Sequence, residues 1–555
     1  MMRMVIERLS KYPAAMLVLL CLAAWLPGAL SLPPLDRDES RFAQASKQMI
    51  ESGDYVDIRY STVPRYNKPV GIYWLQAAST RLLGSPPYDR IWTYRVPSIL
   101  GALLAVLLTY WCGRAVVSRK GAFIGAALLG TSVLLSAEAE IATTDALLLA
   151  AITAVEGILL RAYLFARGRI QHAPSKWQTM AGWGALGFGL LLKGPVILSV
   201  AGLTALTVSI WDRDFRWLRY LRALPGLPLT LAVVLPWGIA IAFASHGAFY
   251  RRSLGHDLAA KIMAGQESHG APPGYYLALA AMTFWPVTLF ALPAARSAVA
   301  GRTDPVFRFL LSWIVPSWLV FEAVPTKLPH YILPLYPALA LLAALWIVNR
   351  HSAGGSSRPL QIVSAVVFIG VTLAALTAVL VVPYRLGVEL RIWWLFAALI
   401  VAVLAIAAVT LQVQMRLVRA AVCAAAAALI FVPLLGCDIA PALAPIWLSQ
   451  TIAQQISANR APTDPPVILA GYLEPSLVFL LGTATHLEGG QSAGVVAARQ
   501  GGLAVIGDRE QPLFLHALHA AGGREYIVGS IAGLDYSRGK HEHVLVFRIR
   551  PAKRQ

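Results

Sequence analysis

The stretch "MLVLLCLAAWLPGALSLPPLDRDES", residues 16–40, joins a long apolar run directly to a cluster of charged residues. A run of about 20 apolar residues is long enough to cross the roughly 30 Å hydrocarbon core of a membrane. The basic residues before it are also typical of a cleaved signal peptide. The length of the run and the acidic segment after it favour a retained first span instead.

The composition of the whole chain extends this pattern. Of the 555 residues, 57% are hydrophobic and 14% are charged, whereas soluble domains average about 25% charged residues. Backbone groups inside lipid must be satisfied within the protein, so an α-helical polytopic membrane protein is expected. The apolar runs predict about thirteen transmembrane helices, near 13–32, 92–113, 121–137, 143–166, 179–192, 195–211, 225–245, 275–294, 307–324, 331–348, 360–383, 392–412 and 418–436.

The short loops indicate how these helices are oriented. Alternate loops such as "GRAVVSRK" and "WDRDFRWLRYLR" are rich in Arg and Lys, and such loops face the cytoplasm. The N-terminus is then cytoplasmic, while 33–91, 246–274 and everything after about residue 437 face outward. The formal charge of +19 is spread through these loops, so it does not indicate nucleic-acid binding.

Two domains are predicted. Residues 1–437 form the transmembrane domain, whose first outer loop, 33–91, carries two amphipathic helices expected to lie along the membrane surface. Residues 438–555 read as a small soluble α/β domain, with strands at "PPVILAGY", "GLAVIGD", "REYIVGSI" and "HEHVLVFRIR". The four cysteines lie in or next to apolar runs and show no disulfide framework or metal-binding spacing.

Acidic residues occur at two outer positions. Asp38 and Glu39 follow the first span, and Asp145 enters the fourth span after the outer turn "SAEAEIATTD". Acids at such depth usually have a function, so all three are candidate catalytic residues. The alternatives are a solvated anchor at the membrane edge for Asp38 and a helix-capping role for Asp145.

A set of cations and hydrogen-bond donors lies on the same outer face. Its members are candidates for binding a phosphate, because a desolvated phosphate needs compensating positive charge. They are Lys68, Lys193, Lys327, Arg251, Arg252, His330 and Tyr331. A single lysine at a span end more often extends to lipid headgroups, and Tyr331 could belong to the interfacial aromatic belt.

A divalent metal is the one cofactor left open. His256, Asp257, Glu267 and His269 lie together in the outer loop 246–274 and could ligate it. Their spacing matches no strong motif, and a solvated loop is the favoured interpretation. We find no phosphate-binding loop and no dinucleotide fingerprint.

The motifs "DRDES", "YNKPVGIYWL", "IATTDALLL", "LLKGP" and "KLPHYILPLYPALALL" together resemble the integral-membrane glycosyltransferases of the GT-C superfamily. Within it the chain is most similar to the bacterial lipid A aminoarabinose transferases and their protein O-mannosyltransferase relatives. In that resemblance Asp38 matches the catalytic aspartate of the first loop, Asp145 the second acidic position, Lys68 the phosphate-holding lysine, and Tyr331 a motif linked to the same phosphate. Asn67 departs from the pattern, which commonly has an acid there.

The resemblance implies an inverting transfer of a sugar, 4-amino-4-deoxy-L-arabinose, from undecaprenyl phosphate to lipid A on the periplasmic face of the inner membrane. Such a modification lowers the negative charge of the cell surface and gives polymyxin resistance. The alternatives are a polyprenyl-phosphate-sugar transferase that acts on protein Ser or Thr or on another glycan, and a secondary transporter. A transporter is less favoured because its polar sites lie near the bilayer midplane.

Overall fold

Helices occupy most of the chain up to Ala442 in the computed structural model, which describes residues 12–253, 271–349 and 358–552. They are α1 (Pro13–Ser31), α2 (Asp38–Ser52), α3 (Gly71–Leu83), α4 (Ile91–Val116), α5 (Arg119–Gly130), α6 (Val133–Glu140), α7 (Asp145–Ala166), α8 (Lys176–Lys193), α9 (Val196–Asp212), α10 (Ala223–Ala244), α11 (Tyr275–Thr283), α12 (Thr288–Ala300), α13 (Pro305–Ala323), α14 (Tyr336–Val348), α15 (Arg358–Arg385), α16 (Ile392–Val413) and α17 (Leu417–Leu434). Short helical turns precede α14, at Pro329–Leu335, and continue α17 to Ala442.

Nine of these helical segments in the described ranges are long and apolar enough to cross a membrane. They are α1, α4, α7, α10, α13, α15 and α16, together with Pro329–Val348 and Leu417–Ala442. Each coincides with a predicted span. The polytopic helical membrane fold is therefore confirmed.

The other four predicted spans differ from simple crossings. The predicted span 121–137 is two helices, α5 and α6, bent by 60°, and 275–294 is divided between α11 and α12 around Pro286. Proline lacks the N–H group that continues a helix, which explains this second break. The spans predicted at 179–192 and 195–211 are the separate helices α8 and α9, of 18 and 17 residues. Neither is among the nine helical segments that are long and apolar enough to cross a membrane.

The C-terminal region forms a five-stranded sheet between helices. Its elements are α18 (Leu448–Asn459), β3 (Ile468–Ala470), α19 (Pro475–Leu481), β4 (His486–Leu487), α20 (Gly490–Gln500), β5 (Gly502–Gly507), α21 (Gln511–Ala520), β6 (Arg524–Asp535) and β7 (Lys540–Arg550); β1 (Arg59–Tyr60) and β2 (Val63–Pro64) form a hairpin in the first outer loop. The strand order is β4-β3-β5-β7-β6, parallel from β4 to β5 and antiparallel beyond. Separate apolar layers cover the two faces of the sheet.

Two packing relationships position the site described below. The helix α7 is the most enclosed of the nine candidate spans, and its first residue, Asp145, is buried. The helix α2 packs against α3 and against α19 of the C-terminal domain. Most of its residues, including polar ones such as Gln44 and Lys47, are buried. The prediction that α2 lies along the membrane surface stays a prediction, and the structure adds that the C-terminal domain packs on one side of this helix.

Candidate active site

A cavity of about 1100 Å³, here called the outer chamber, lies where several helices end on the side of the C-terminal domain. Its lining comes from the turn before α2, the segment after β2, the start of α7, the end of α8 and the segments 248–252 and 326–331. Most of the predicted site residues line it: Asp38, Lys68, Asp145, Lys193, Arg251, Arg252, His330 and Tyr331. Residues that are far apart in the sequence thus converge on one chamber.

An ion pair forms the floor of the chamber. Nζ of Lys193 lies 2.5 Å from Oδ1 of Asp145, and each side chain is only 8% exposed. Nζ also lies 5.2 Å from the centre of the Tyr331 ring, a cation–π distance. Lys193, predicted to bind phosphate, is therefore primarily the counter-ion of Asp145.

His330 lies between two carboxylates. Its Nδ1 is 3.7 Å from Oε1 of Glu138 and its Nε2 is 3.9 Å from Oδ1 of Asp145. The hydroxyl of Thr143 donates to the other oxygen of Glu138 at 2.8 Å. Asp38 and Lys68 also act electrostatically on His330. The two predicted acidic positions and the first-loop lysine thus share one electrostatic environment.

Asp38 occupies the first position of α2, where the helix dipole favours a carboxylate. Its side chain is exposed in the chamber. The preceding residue, Arg37, has a φ of 60°, a conformation that a non-glycine residue adopts only when its surroundings hold it there. A strained turn therefore presents Asp38 to the chamber.

Asp36 faces both the chamber and the C-terminal domain. Burial raises the pKa of its carboxyl to about 7, while a hydrogen bond from Ser476 acts in the opposite direction. The nearby carboxylates of Glu474 and Asp535 raise the pKa further. Burial also raises the pKa of Glu474 above its usual range.

The chamber carries an excess of positive charge. Among the described residues, the lining carries three carboxylates, Asp36, Asp38 and Asp145, and seven cationic side chains, Arg37, Arg41, Arg65, Lys68, Lys193, Arg251 and Arg252. The excess of four favours an anionic ligand. Our sequence reasoning missed the first three arginines, although the spacing of Arg37 and Arg41 places them one helical turn apart beside Asp38.

An apolar cavity of about 480 Å³, here called the apolar groove, adjoins the chamber. Its walls are mainly aliphatic and aromatic side chains, including Leu190, Val234, Trp237, Phe249 and Leu333. Six residues line both spaces: Asn67, Lys68, Asp145, Lys193, His330 and Tyr331. The arrangement suits a ligand with a charged head and a hydrocarbon tail.

Glu39 was predicted to be catalytic, and the structure places its carboxylate in a buried ion pair outside the lining of the chamber. Its two oxygens lie 2.8 Å from the Nε and Nη2 groups of Arg95, and they also accept from the backbone N–H groups of Leu35 and Ala142. Glu39 and Arg95 are 2% and 0% exposed. A carboxylate with every acceptor direction occupied by buried donors has a structural role.

Lys327 was predicted to bind phosphate, and the structure places it outside the described lining of the chamber and of the apolar groove. It is buried and donates at 3.0 Å to the backbone carbonyl of Val324. Its neighbours Thr326 and Leu328 line the chamber, but Lys327 is absent from the described lining of both cavities.

The described residues offer no metal centre. Within 12–253, 271–349 and 358–552, no three His, Cys, Asp or Glu side chains are grouped closely enough to hold an ion. The four candidate ligands at positions 256, 257, 267 and 269 lie outside the described residues. Asn67, which lines the chamber, is a neutral side chain.

The fold and the chamber define a multi-span helical membrane protein with a small C-terminal sheet domain, and the chain is similar to known membrane proteins in both sequence and fold. Residues 67–239 match the family model described as dolichyl-phosphate-mannose-protein mannosyltransferase. The solved ArnT from Cupriavidus metallidurans bound to undecaprenyl phosphate superimposes with a TM-score of 0.74 at 20% identity, covering 96% of this chain and 97% of that one. Its apo form gives a TM-score of 0.69 at 19% identity, covering 98% of each chain.

Curated relatives carry the same resemblance at the level of sequence. The undecaprenyl phosphate-alpha-4-amino-4-deoxy-L-arabinose arabinosyl transferase of Pectobacterium carotovorum is 29% identical, over 56% of this chain and 54% of the relative. The protein of the same name from Pectobacterium atrosepticum is 28% identical, over 62% of each. The matched region thus spans little more than half the length of these relatives. The predicted resemblance to GT-C glycosyltransferases is confirmed.

Proposed function

We propose that this protein is an inverting glycosyltransferase that moves 4-amino-4-deoxy-L-arabinose from undecaprenyl phosphate to a phosphate of lipid A. The observation that carries the proposal is the junction of the outer chamber with the apolar groove at six shared residues. A prenyl chain fits the groove, and its phosphate then lies among the cations of the chamber. The names of the matching relatives support the same donor.

The charge of the chamber matches the ligands of this reaction. Lys193 is paired with Asp145. Tyr250 and Ser253 line the apolar groove, their neighbours Arg251 and Arg252 line the chamber, and Lys68 lines both spaces. The three cations Lys68, Arg251 and Arg252 therefore lie near the junction of the two spaces. Placed around the donor phosphate, they stabilise the negative charge that grows on it as the glycosidic bond breaks. Such preorganised stabilisation of developing charge is commonly the largest catalytic contribution.

The transfer balances without a redox or metal step. An oxygen of the acceptor phosphate forms a bond to the anomeric carbon while the bond from that carbon to the donor phosphate oxygen breaks. The electron pair leaves with undecaprenyl phosphate, and the configuration at the carbon inverts. A lipid A phosphate is already ionised near neutral pH and needs no general base. Holding acceptor and anomeric carbon together supplies the other main contribution.

Asp38 has a role that depends on this acceptor. With a phosphate acceptor, its exposed carboxylate pairs with the ammonium group of the sugar and stabilises positive charge that develops at the anomeric centre. With a hydroxyl acceptor, the same carboxylate takes the hydroxyl proton as general base. Asp145, held by Lys193 and His330, fixes the geometry of the chamber floor.

The proposed location is a bacterial inner membrane, with the N-terminus in the cytoplasm and the chamber and C-terminal domain in the periplasm. The basic loops support this orientation. Asp145 begins α7 at the chamber, whereas Arg167 follows the other end of α7 and pairs there with Asp212. The Arg-rich end of the bundle thus lies opposite the chamber.

Reconstitution with purified substrates tests the proposal. The protein, the aminoarabinose-linked undecaprenyl phosphate and lipid A are incubated together, and lipid A is analysed by mass spectrometry. The expected result is a mass increase of one amino-pentose per modified phosphate. Unmodified lipid A, with donor consumption no faster than in a protein-free control, would contradict the proposal.

A protein acceptor is the second candidate, favoured by the match of residues 67–239 to the protein mannosyltransferase model. A Ser- and Thr-containing peptide, offered with mannosyl and aminoarabinosyl donors in the same assay, separates the two. Glycosylated peptide with unmodified lipid A assigns the transfer to protein. The bell-shaped pH dependence that a general base produces would accompany it.

A further inference from the structure

We propose that the C-terminal α/β domain positions Asp38 for the transfer reaction, with Tyr536 and Ser476 as the positioning residues. The inference rests on the proposed function and adds to it a role for a domain that contributes no residue to the predicted site. It is carried by three contacts across the interface between that domain and the strained turn at residues 35–37.

The first two contacts hold the turn at Asp36. The backbone N–H of Asp36 donates to the hydroxyl of Tyr536 at 2.7 Å. The hydroxyl of Ser476 donates to the Asp36 carboxylate. Both partners belong to the C-terminal domain, and both form hydrogen bonds with Asp36, which lies two positions before Asp38.

The third contact holds Arg37 directly. Its guanidinium donates to the backbone carbonyl of Ser537, while its backbone has a φ of 60° and a ψ of −110°. A non-glycine residue keeps such a conformation only when several contacts determine it. The domain supplies contacts to Arg37 and to its predecessor, and therefore fixes the direction in which α2 begins.

The membrane helices hold the same turn from the other side. Glu39, anchored by Arg95, accepts from the backbone N–H of Leu35 at 2.9 Å, and the hydroxyl of Ser40 donates to the carbonyl of Leu35 at 2.5 Å. Asp38 thus stands between a residue fixed by the C-terminal domain and a residue fixed by the membrane domain. Its own side chain remains exposed in the chamber.

Tyr536 and Ser476 are themselves held by contacts within the C-terminal region. The ring of Tyr536 meets the ring of Trp447 edge to face at 5.9 Å. Ser476 contacts the hydroxyl of Ser449 at 2.6 Å, and Ser449 contacts the hydroxyl of Tyr472 at 2.9 Å. The domain therefore presents preformed contacts, as positioning a catalytic group requires.

Tyr536→Phe and Ser476→Ala in the full-length protein test the inference, because each removes one hydroxyl and keeps the packing. We expect kcat to fall about fivefold in each, the effect of one lost hydrogen bond of about 1 kcal/mol. The KM for the donor and the Kd for undecaprenyl monophosphate should stay within about twofold, since the donor site is untouched. Ser476→Thr, which keeps the hydroxyl, should recover most of the lost kcat.

Two matched controls lie on the same domain. Tyr526→Phe changes an exposed tyrosine on β6, the strand that ends directly before Tyr536. Ser492→Ala changes a serine that contacts Glu488 at the surface. Both should leave kcat unchanged. Melting temperatures measured in detergent for every variant restrict the comparison to folded protein. If Tyr536→Phe does not fold, the kcat values of Ser476→Ala and Ser476→Thr test the positioning role.

The outcomes separate this inference from the function beneath it. Full kcat in both Tyr536→Phe and Ser476→Ala, or a loss entirely in donor KM, overturns the positioning role while the transferase remains. A wild-type protein that transfers no sugar from any polyprenyl-phosphate donor overturns the proposed function and this inference together.

Discussion

The ammonium group of Lys193 lies 2.5 Å from the carboxylate of Asp145, and both side chains are more than nine-tenths buried. Such a pair contributes little when both charges are present, but removing one partner leaves the other buried and uncompensated. We therefore expect Lys193→Ala and Asp145→Ala each to destabilise the protein by about 3 kcal/mol. The double variant should cost clearly less than the sum, in thermal unfolding measured in detergent. Simple additivity would show that the two charges are not coupled.

Lys68 lines both the outer chamber and the apolar groove. Lys68→Ala should weaken binding of undecaprenyl monophosphate and lower turnover, each about tenfold or more, because a cation at the donor phosphate is lost. Fluorescence-detected lipid binding and the mass-spectrometric transfer assay measure the two effects. Arg59→Ala, at a half-exposed arginine paired with Asp57 in the same loop, is the matched control and should change neither.

Asp38 is exposed in the chamber at the start of α2. Asp38→Asn removes its charge and keeps its size, so we expect kcat to fall about tenfold or more with the donor Kd nearly unchanged. Single-turnover kinetics with saturating donor separate the chemical step from binding. A kcat within twofold of wild type in folded protein would contradict the proposed role of Asp38.

Glu39 provides the contrasting case, since its carboxylate is bound by Arg95 and by two backbone N–H groups. Glu39→Gln leaves the buried guanidinium without its counter-charge, and the expected loss of stability is about 3–5 kcal/mol. The melting temperature should fall sharply, while the folded fraction still binds undecaprenyl monophosphate with wild-type affinity. Unchanged stability together with lost turnover in Glu39→Gln would instead support a catalytic role for Glu39.

The interface at Asp36 should respond to pH. Burial raises the pKa of this carboxyl from 3.8 to about 7 in the folded protein, so the folded state binds a proton more tightly than the unfolded state. The associated stability is fully present below about pH 4 and is lost as pH rises through about 7. The melting temperature should therefore fall as pH rises from about 4 to about 7, and that of Asp36→Asn should fall less.

The raised pKa of Glu474 acts in the same direction, so the Asp36→Asn variant retains part of the slope. The comparison of wild type with Asp36→Asn isolates the contribution of the one carboxyl. Equal slopes in the two proteins would show that Asp36 does not titrate in this window.

The elements that the sequence predicted well are those with strong local patterns. Hydropathy located all nine long spans, and short apolar runs bounded by turn residues located β3, β5, β6 and β7, because both signals depend on neighbours in sequence. The two-residue strand β4 and the helices α18 and α20 were missed, since their short or polar sequences acquire structure by packing on the sheet. The bend between α5 and α6 falls at Gly130, Thr131 and Ser132. A glycine and two hydroxyl side chains interrupt the apolar run there, and the single span predicted at 121–137 did not use this signal.

Residue type and position at a helix end were enough to find most of the chamber, but partners were not predictable. Asp38 and Glu39 are adjacent and chemically alike, yet only Asp38 faces the chamber. What separates them is Arg95, a residue 56 positions from Glu39. In the same way, the sequence could not distinguish Lys327, held by its own backbone, from Lys68.

The hydrogen bond between Asp36 and Tyr536 joins residues 500 positions apart. Chains are synthesised from the N-terminus, and domains fold largely as units in that order. The first transmembrane helices are therefore inserted long before Tyr536 leaves the ribosome, and the turn ahead of Asp38 lacks its second anchor throughout that time. A chain that lacks the C-terminal domain can acquire its membrane helices without completing this turn. The contacts of Ser476 and Tyr536 with Asp36 are therefore among the last to form during assembly.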